Sequence, residues 1–371
     1  MTPERAMRLA LDRARRVRGR TWPNPPVGAV VYRGERILGA GATRPAGGPH
    51  AEIVALEAAR RRHGAPALRG ASLAVTLEPC SHSGRTGPCS EAVLAAGIRR
   101  VSVGHRDPSP HAAGRGLRRL RAAGVQVRTG VLEAQCREQH RGFLSVVERG
   151  RPFVSLKLAA SLDGRIATRR GDSRWISGTA ARAWVQRLRA RTDAVAVGVG
   201  TVRADDPALT ARRGQRIVQR PARVVFDTRL RLPPGARLLG DDAPVFIVCG
   251  VRPPAARRRA LEAAGARLLP VRTAGGRVHL ATALRRLARE GLTELLVEGG
   301  GELAGSLLRA GLVDELHWFV SPKLVGGDGA AALGPLGVGR LADAPLLASP
   351  RIRRLGEDVC ISGRPTTGEP R

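Results

Sequence analysis

Apolar positions recur at helical spacing near the start of the chain: Met7, Ala10, Leu11, Ala14 and Val17, behind a Thr2-Pro3 pair suited to a helix start. Pro23-Asn24-Pro25-Pro26 ends that pattern. Two runs of strand character follow, Val27 to Tyr32 and Arg36 to Gly41, joined around Gly34-Glu35 as a hairpin. The pattern then predicts a helix from about His50 to Arg62 and strands over Ser72 to Leu77 and Val101 to Val103. A helix over Gly116 to Ala123 and a strand over Val125 to Thr129 continue the alternation. Strands alternating with helices imply a sheet with helices on its faces.

A helical stretch from Glu133 to Val147 leads to Gly150-Arg151-Pro152, where a domain boundary is expected, giving residues 1–149 and 150–371. A second α/β series begins with Phe153 to Leu158. It offers strands at Ala194 to Val199, Arg223 to Phe226, Val245 to Cys249, Arg267 to Val271 and Glu294 to Val297. Helices are expected at Thr179 to Arg189, Pro254 to Ala264, Leu280 to Arg289 and Glu302 to Ala310. Strands around Glu315 to Val320 and Asp358 to Ser362 complete the series. No internal repeat or long low-complexity tail is visible.

Composition refines this picture. The chain is 371 residues long and 43% hydrophobic but only 3% aromatic, so its cores must be built from Ala, Val and Leu. The net charge of +32 would ordinarily suggest nucleic acid. Yet Lys157 and Lys323 are the only lysines among 63 basic residues, and the arginines spread along the whole chain without forming a patch. Stacking aromatics for single-stranded bases are largely missing, so no nucleic-acid partner is expected. The N-terminus lacks an apolar signal region and no run is long enough to span a bilayer, so a cytoplasmic protein without membrane partners is expected. Five cysteines do not look like a disulfide framework and fit a reducing compartment, with Cys136, Cys249 and Cys360 as free thiols.

The strongest chemistry lies in His50-Ala51-Glu52 and in Glu78-Pro79-Cys80 followed by Gly87-Pro88-Cys89. One imidazole and two thiolates make a three-ligand zinc site with a fourth position open to water, the catalytic pattern. Glu52 is not needed as a ligand and is free to move protons. That layout matches zinc-dependent base deaminases, in which the metal activates water against an amine-bearing ring carbon. Cys89 opens a helix over Ser90 to Ala96, whose amides favour thiolate. The bland alternative is a surface histidine, a solvated glutamate and two buried structural cysteines.

In the second series, Val297-Glu298-Gly299-Gly300-Gly301-Glu302-Leu303-Ala304-Gly305-Ser306 joins a strand, a glycine loop and a helix start. Such a loop suits phosphate, although a tight strand-to-helix connection with no ligand is an equal reading. The spacing is not that of the common dinucleotide fingerprint. Val197-Gly198-Val199-Gly200-Thr201 with Asp205, and Ala160-Ser161-Leu162-Asp163-Gly164-Arg165, are further polar loops after strands. Together they suggest a nucleotide site without saying which nucleotide.

The whole chain resembles the bifunctional deaminase–reductases of riboflavin biosynthesis. The first half matches through Pro23 to Gly28, His50-Ala51-Glu52, and Thr76 to His82 with Gly84-Arg85-Thr86. Its long gap between Cys80 and Cys89 is typical of that family and not of most base deaminases. The second half matches through Lys157 to Arg165, Ser173-Arg174-Trp175-Ile176, Ala204 to Thr210, and Val297 to Gly300. The resemblance implies a cytidine-deaminase-like α/β/α domain followed by a dihydrofolate-reductase-like α/β domain. It implies deamination of 2,5-diamino-6-ribosylamino-4(3H)-pyrimidinone 5′-phosphate, then reduction of the ribosyl group to ribityl by NADPH.

Site residues follow by position. The resemblance implies zinc on His50, Cys80 and Cys89, Glu52 as proton carrier and Asn24 on the pyrimidine. It implies NADPH contacts at Ala159, Trp175, Thr201, Asp205, Thr228 and the loop Gly300, Gly301, Glu302, Leu303, Ala304, Gly305 and Ser306. Substrate contacts are implied at Ser173, Arg189, Leu209, Arg212 and Glu298; the two arginines suit a sugar phosphate. The stretch between Arg212 and Arg223 is short, which leaves the adenosine end open, with Arg229 the choice for the 2′-phosphate. We expect a small-molecule substrate and a homo-oligomer. A nucleic-acid base deaminase with an accessory nucleotide-binding domain is the competing reading, and a basic binding protein with structural zinc a third. The cysteine gap and the Asp205-Asp206-Pro207 and Glu298-Gly299 motifs speak against the base deaminase, and the binding protein predicts no activity for Glu52→Gln to abolish.

Overall fold

The computed structural model describes residues 1–81, 87–110 and 112–366 and divides into two compact units, Met1–Gly150 and Arg151–Arg371. His82, Gly84, Arg85 and Thr86, part of the motif above, lie outside the described residues.

The first unit runs α1 (Pro3–Arg15), β1 (Gly28–Arg33), β2 (Arg36–Ala42), α2 (Ala51–His63), β3 (Ser72–Leu77), α3 (Cys89–Ala95) and β4 (Arg100–His105). It continues through α4 (Arg115–Ala122), β5 (Gln126–Thr129), α5 (Glu133–Gln139) and α6 (Arg141–Arg149). The sheet order is β2-β1-β3-β4-β5, antiparallel on the β2, β1, β3 side and parallel from β3 to β5. Residues of α2, α3 and α4 pack with Ala29, Val31 and Val75 into one core, while α1 and α5 pack with Val30, Tyr32 and Ala74 into another. Alternate side chains of one strand therefore serve opposite faces, which makes a three-layer α/β/α unit.

Small residues replace aromatics in these cores and let the layers approach. A Cβ on Gly41 of β2 would lie 2.6 Å from the Ala51 carbonyl, so the first turn of α2 rests directly on the strand. The stretch predicted as one helix over 133–147 is two, because His140 sits at φ −101°, ψ 13° between α5 and α6. Its ring instead reaches Thr76 Oγ1 on β3 at 3.0 Å.

The second unit opens with β6 (Phe153–Ala160), β7 (Arg165–Ala167), α7 (Thr179–Arg189), β8 (Ala194–Gly198) and α8 (Val199–Asp205). Next come β9 (Ala211–Arg213), β10 (Arg216–Gln219), β11 (Ala222–Phe226), β12 (Val245–Gly250), α9 (Ala255–Ala263) and β13 (Ala266–Val271). After β14 (Thr273–Ala274), β15 (Arg277–Val278) and α10 (Leu280–Arg289) come β16 (Glu294–Val297), α11 (Gly301–Arg309) and β17 (Glu315–Val320). The short β18 (Ala330–Ala331) precedes a terminal hairpin, β19 (Leu346–Leu355) and β20 (Asp358–Thr366). The main sheet is ordered β13-β12-β11-β8-β16-β6-β17-β20-β19. It is parallel from β13 to β17 and antiparallel at β20 and β19.

Several elements escape the sequence pattern, among them the short strands β7, β9, β10, β14, β15 and β18 and two longer elements. Helix α8 starts straight off β8, where Gly198-Val199-Gly200 reads as loop. Edge strand β19 carries Pro350 beside a register shift between Ala348 and Arg351, the kind of place where a strand tolerates proline. No helix among the described residues is long and apolar enough to cross a membrane.

Candidate active sites

The register of the first sheet gathers the deaminase motifs. Gly28 pairs with Ala42 and Ala29 with Val75, so the start of β1 and the ends of β2 and β3 share one edge of the sheet. Asn24 precedes β1, His50 caps α2 after β2, and Cys80 follows β3 at that same edge. Cys89 comes in as the first residue of α3.

His50 Nδ1 lies 3.6 Å from Cys80 Sγ and 3.3 Å from Cys89 Sγ, and the Cys89 amide donates to Cys80 Sγ at 3.4 Å. Among the described residues these three form the one group of histidine, cysteine and acidic side chains placed to hold a metal ion. A tetrahedral zinc with Zn–S of about 2.3 Å and Zn–N of about 2.0 Å sets N···S edges of about 3.5 Å, so the donor set fits that ion.

The electrostatics describe a cluster built for a cation. The Cys89 thiol, then the His50 ring and the Cys89 amide, push Cys80 down to about 4 against the effect of burial. Cys89 moves up, because it serves Cys80 as a donor and two adjacent thiolates cannot both ionise without a cation between them. The hydrogen bond with Cys80 raises His50. Glu52, in the first turn of α2, is buried, and that burial pushes its carboxyl up to about 7.

The loop bearing Cys80 is clamped from beneath. Glu78, buried, accepts the Asp107 amide at 3.3 Å and the Leu117 amide at 3.4 Å. A Cβ on Gly116 at the start of α4 would lie 2.0 Å from the Pro79 carbonyl, so only glycine lets α4 sit under the loop.

In the second unit a cleft of about 1870 Å³ opens at the C-terminal ends of parallel strands β6, β8, β11 and β16. That is where ligands bind in open α/β sheets, and this volume is large enough for two of them. Ala159, Trp175, Thr201, Asp205, Thr228 and Arg229 line it, as do Gly300, Gly301, Glu302, Leu303 and Ser306. Ser173, Arg189, Leu209, Arg212 and Glu298 line it too. Ala304 and Gly305 do not: helical rotation turns Ala304 into the core and sets Gly305 against the Gly334 carbonyl. Helices α8 and α11 begin at the ends of neighbouring strands β8 and β16, with Gly198 and Gly300 at their N-caps. Their first amides suit the phosphates of a dinucleotide.

Arg189 and Glu298 are committed to each other. Nε donates to Glu298 Oε1 at 2.6 Å and Nη2 to Oε2 at 2.9 Å, while Nη1 donates to the Thr210 carbonyl at 3.0 Å. Arg212 commits Nε to Thr210 Oγ1 and Nη1 to the Gln215 carbonyl, and no bond from Nη2 is seen among the described residues. Lys157 of β6, first in the matched stretch Lys157 to Arg165 but given no site role from the sequence, also lines the cleft, half-buried, with Phe319 beneath its ammonium at 6.0 Å from the ring centroid. Its signal was compositional, since it is one of two lysines in an arginine-rich chain.

Comparison with known proteins matches a family model to each unit. The family described as the cytidine and deoxycytidylate deaminase zinc-binding region matches residues 1–105, and the RibD C-terminal domain matches residues 152–361. The riboflavin biosynthesis protein RibD of Bacillus amyloliquefaciens is 41% identical over 98% of this chain and 96% of its own length. That of Escherichia coli K12 is 40% identical over 97% and 99%. The solved structure of Acinetobacter baumannii RibD superposes with a TM-score of 0.87 at 35% identity, covering 98% of this chain and 99% of that one. The Thermotoga maritima diaminohydroxyphosphoribosylaminopyrimidine deaminase/5-amino-6-(5-phosphoribosylamino)uracil reductase gives 0.82 at 33% identity, covering 98% and 99%. With a zinc-binding deaminase region ahead of a reductase domain over almost its whole length, the chain belongs to the RibD family of bifunctional riboflavin biosynthesis enzymes.

Proposed function

We propose that residues 1–149 hydrolyse the 2-amino group from 2,5-diamino-6-ribosylamino-4(3H)-pyrimidinone 5′-phosphate, and that residues 150–371 then reduce the ribosyl group to ribityl with NADPH. The observation that carries the reading is the His50, Cys80, Cys89 cluster with buried Glu52 on the helix that His50 caps. Those three residues would hold zinc, whose positive charge would favour both thiolates and lower the pKa of a bound water. Glu52, pushed up to about 7 chiefly by burial, is suited to take the water's proton and return it to the departing ammonia. Asn24, half-buried at the same sheet edge, is our choice for holding the pyrimidine.

In the cleft, the starts of α8 and α11 suit the NADPH phosphates, and Arg212 suits the substrate phosphate through its Nη2. Arg189 then acts through Glu298, fixing that carboxylate's orientation. Ser173, Leu209 and Glu298 complete the substrate wall, and Ala159, Trp175, Thr201, Asp205 and Thr228 the cofactor wall, with Arg229 near the 2′-phosphate. Edge strand β19, exposed along nearly all its length with Ile352 73% accessible, supports association of two copies. Five unbridged cysteines support a reducing, cytoplasmic setting.

The test is incubation of the purified chain with the diaminopyrimidine ribosyl phosphate and NADPH, following ammonia and nicotinamide absorbance together. Ammonia must appear first and one NADPH be consumed for each ammonia. NADPH consumption without ammonia would contradict the order of steps.

A further inference from the structure

Two features of the second unit have no part in either reaction: the polar turn Ser161-Leu162-Asp163-Gly164-Arg165 after β6, and Gly305 of α11. Asp163 and Gly305 both lie outside the cleft wall. They meet the same stretch of chain, residues 323–334, which follows β17 and carries β18.

At one end of that stretch, the Asp163 carboxylate accepts the Gly326 amide at 2.6 Å, the Val325 amide at 3.1 Å and the Ser161 hydroxyl at 2.5 Å. The Ser161 hydroxyl, then the Gly326 amide, hold its carboxyl down at about 2, so the acceptor is an anion near neutrality. The Leu162 amide donates to the Lys323 carbonyl at 2.8 Å, the Ala332 amide to the Gly164 carbonyl at 2.9 Å, and β7 pairs with β18. At the other end, the Gly334 amide donates to the Gly301 carbonyl at 2.8 Å. A Cβ on Gly301 would lie 2.5 Å from the Ala331 carbonyl oxygen, and one on Gly305 would lie 2.8 Å from that of Gly334. Only bare glycine admits the stretch against α11. Residues 323–334 thus form a strap from the β6–β7 turn to the first turn of α11.

That first turn needs an outside constraint. Gly299, Gly300 and Gly301 in a row leave the backbone freer than other residues would, and amides that must converge on a phosphate bind it more weakly when they wander. Resting on the placement of an NADPH phosphate at the start of α11, we propose that the strap presets those amides, with Asp163 as the positioning residue that anchors it. Asp163 acts through the Val325 and Gly326 amides, the strap and Gly301. The paired glycines of α11 then have separate uses: Gly301 opens the helix at the cleft, and Gly305 seats the strap behind it.

The experiment uses the full chain with zinc and compares wild type with Asp163→Ala, Gly305→Ala and Gly300→Asp. Affinities for NADPH and for the aminouracil ribosyl phosphate, each alone, are measured beside hydrogen exchange over residues 323–334. Asp163→Ala and Gly305→Ala should both speed exchange in the strap and weaken NADPH at least about tenfold. The aminouracil compound, a phosphate ligand of the same cleft, should bind within about threefold of wild type, and ammonia release should be unchanged. Unchanged exchange in either variant, or a loosened strap with NADPH affinity within about threefold of wild type, overturns the proposal. An equal loss of both ligands overturns it too. Gly300→Asp places a carboxylate at the N-cap of α11, where it favours the helix but repels phosphate, and an added Cβ there meets nothing nearer than 3.9 Å. NADPH binding unchanged in that variant overturns the placement of phosphate at α11, and the strap's role falls with it. Binding weakened there but not in Asp163→Ala overturns the strap alone.

Discussion

Arg189 and Glu298, separated by more than a hundred positions in sequence, meet as a two-pronged ion pair with Nε to Oε1 at 2.6 Å and Nη2 to Oε2 at 2.9 Å. Both are largely buried at the wall of the cleft. Such a pair is costly to break, because the survivor is left as an uncompensated buried charge.

Arg189→Ala should therefore destabilise the second unit by about 3 kcal/mol and remove the constraint on Glu298. Reductase turnover should fall while ammonia release by the first unit persists. Thermal melting followed alongside both half-reactions checks this; a variant with unchanged melting and unchanged reduction would contradict it.

Glu52→Gln keeps the size of the side chain and removes its proton chemistry. Ammonia release should drop by at least about 10²-fold. Zinc content should stay that of wild type, since Glu52 stands outside the donor set. Reduction of substrate supplied already deaminated should continue at the wild-type rate, and loss of both reactions would contradict the division of labour between the units.

Gly116→Ala would bring a methyl group within 2.0 Å of the Pro79 carbonyl. The cysteine loop or α4 must then shift. We expect a cost of about 1–3 kcal/mol and a zinc affinity lowered by roughly 10-fold or more, read by competition with a chelator. Wild-type affinity in this variant would show that the clamp on the loop is dispensable.

His140 is fully buried, and that burial, aided by His105, pushes it down to about 3 from an ordinary 6.5. A group whose folded value lies below its unfolded one contributes stability that is complete above 6.5 and is lost as pH falls towards 3. Melting of the first unit should therefore drop between those values, at no more than about 1.4 kcal/mol per pH unit from this group. Acid also protonates the proposed zinc ligands, so the comparison is with His140→Gln, whose melting should depend less steeply on pH. Equal slopes would contradict the role of the buried imidazole.

The sequence was most legible where a single period governs. Strand β3 and strand β17 fall where the alternating and apolar runs place them, and α7 and α10 where the helical spacing does. It was least legible where a tertiary contact decides. Apolar spacing runs on through His140, yet the helix breaks there as the ring turns to Thr76. Pro350 hides β19, because only the strand's place at the sheet edge, with the register shift beside it, makes the residue acceptable there. The metal donors could be read because thiol and imidazole spacing is specific chemistry. Lys157 could be read as part of a matching stretch, but its place at the cleft wall comes only from the fold.

Zinc content measured together with deamination bears on the whole account most directly. The purified chain should hold one zinc per molecule, lose both metal and ammonia release in Cys80→Ser, and recover activity lost to a chelator when zinc alone is returned. A metal-free chain that still released ammonia from the pyrimidine would contradict it.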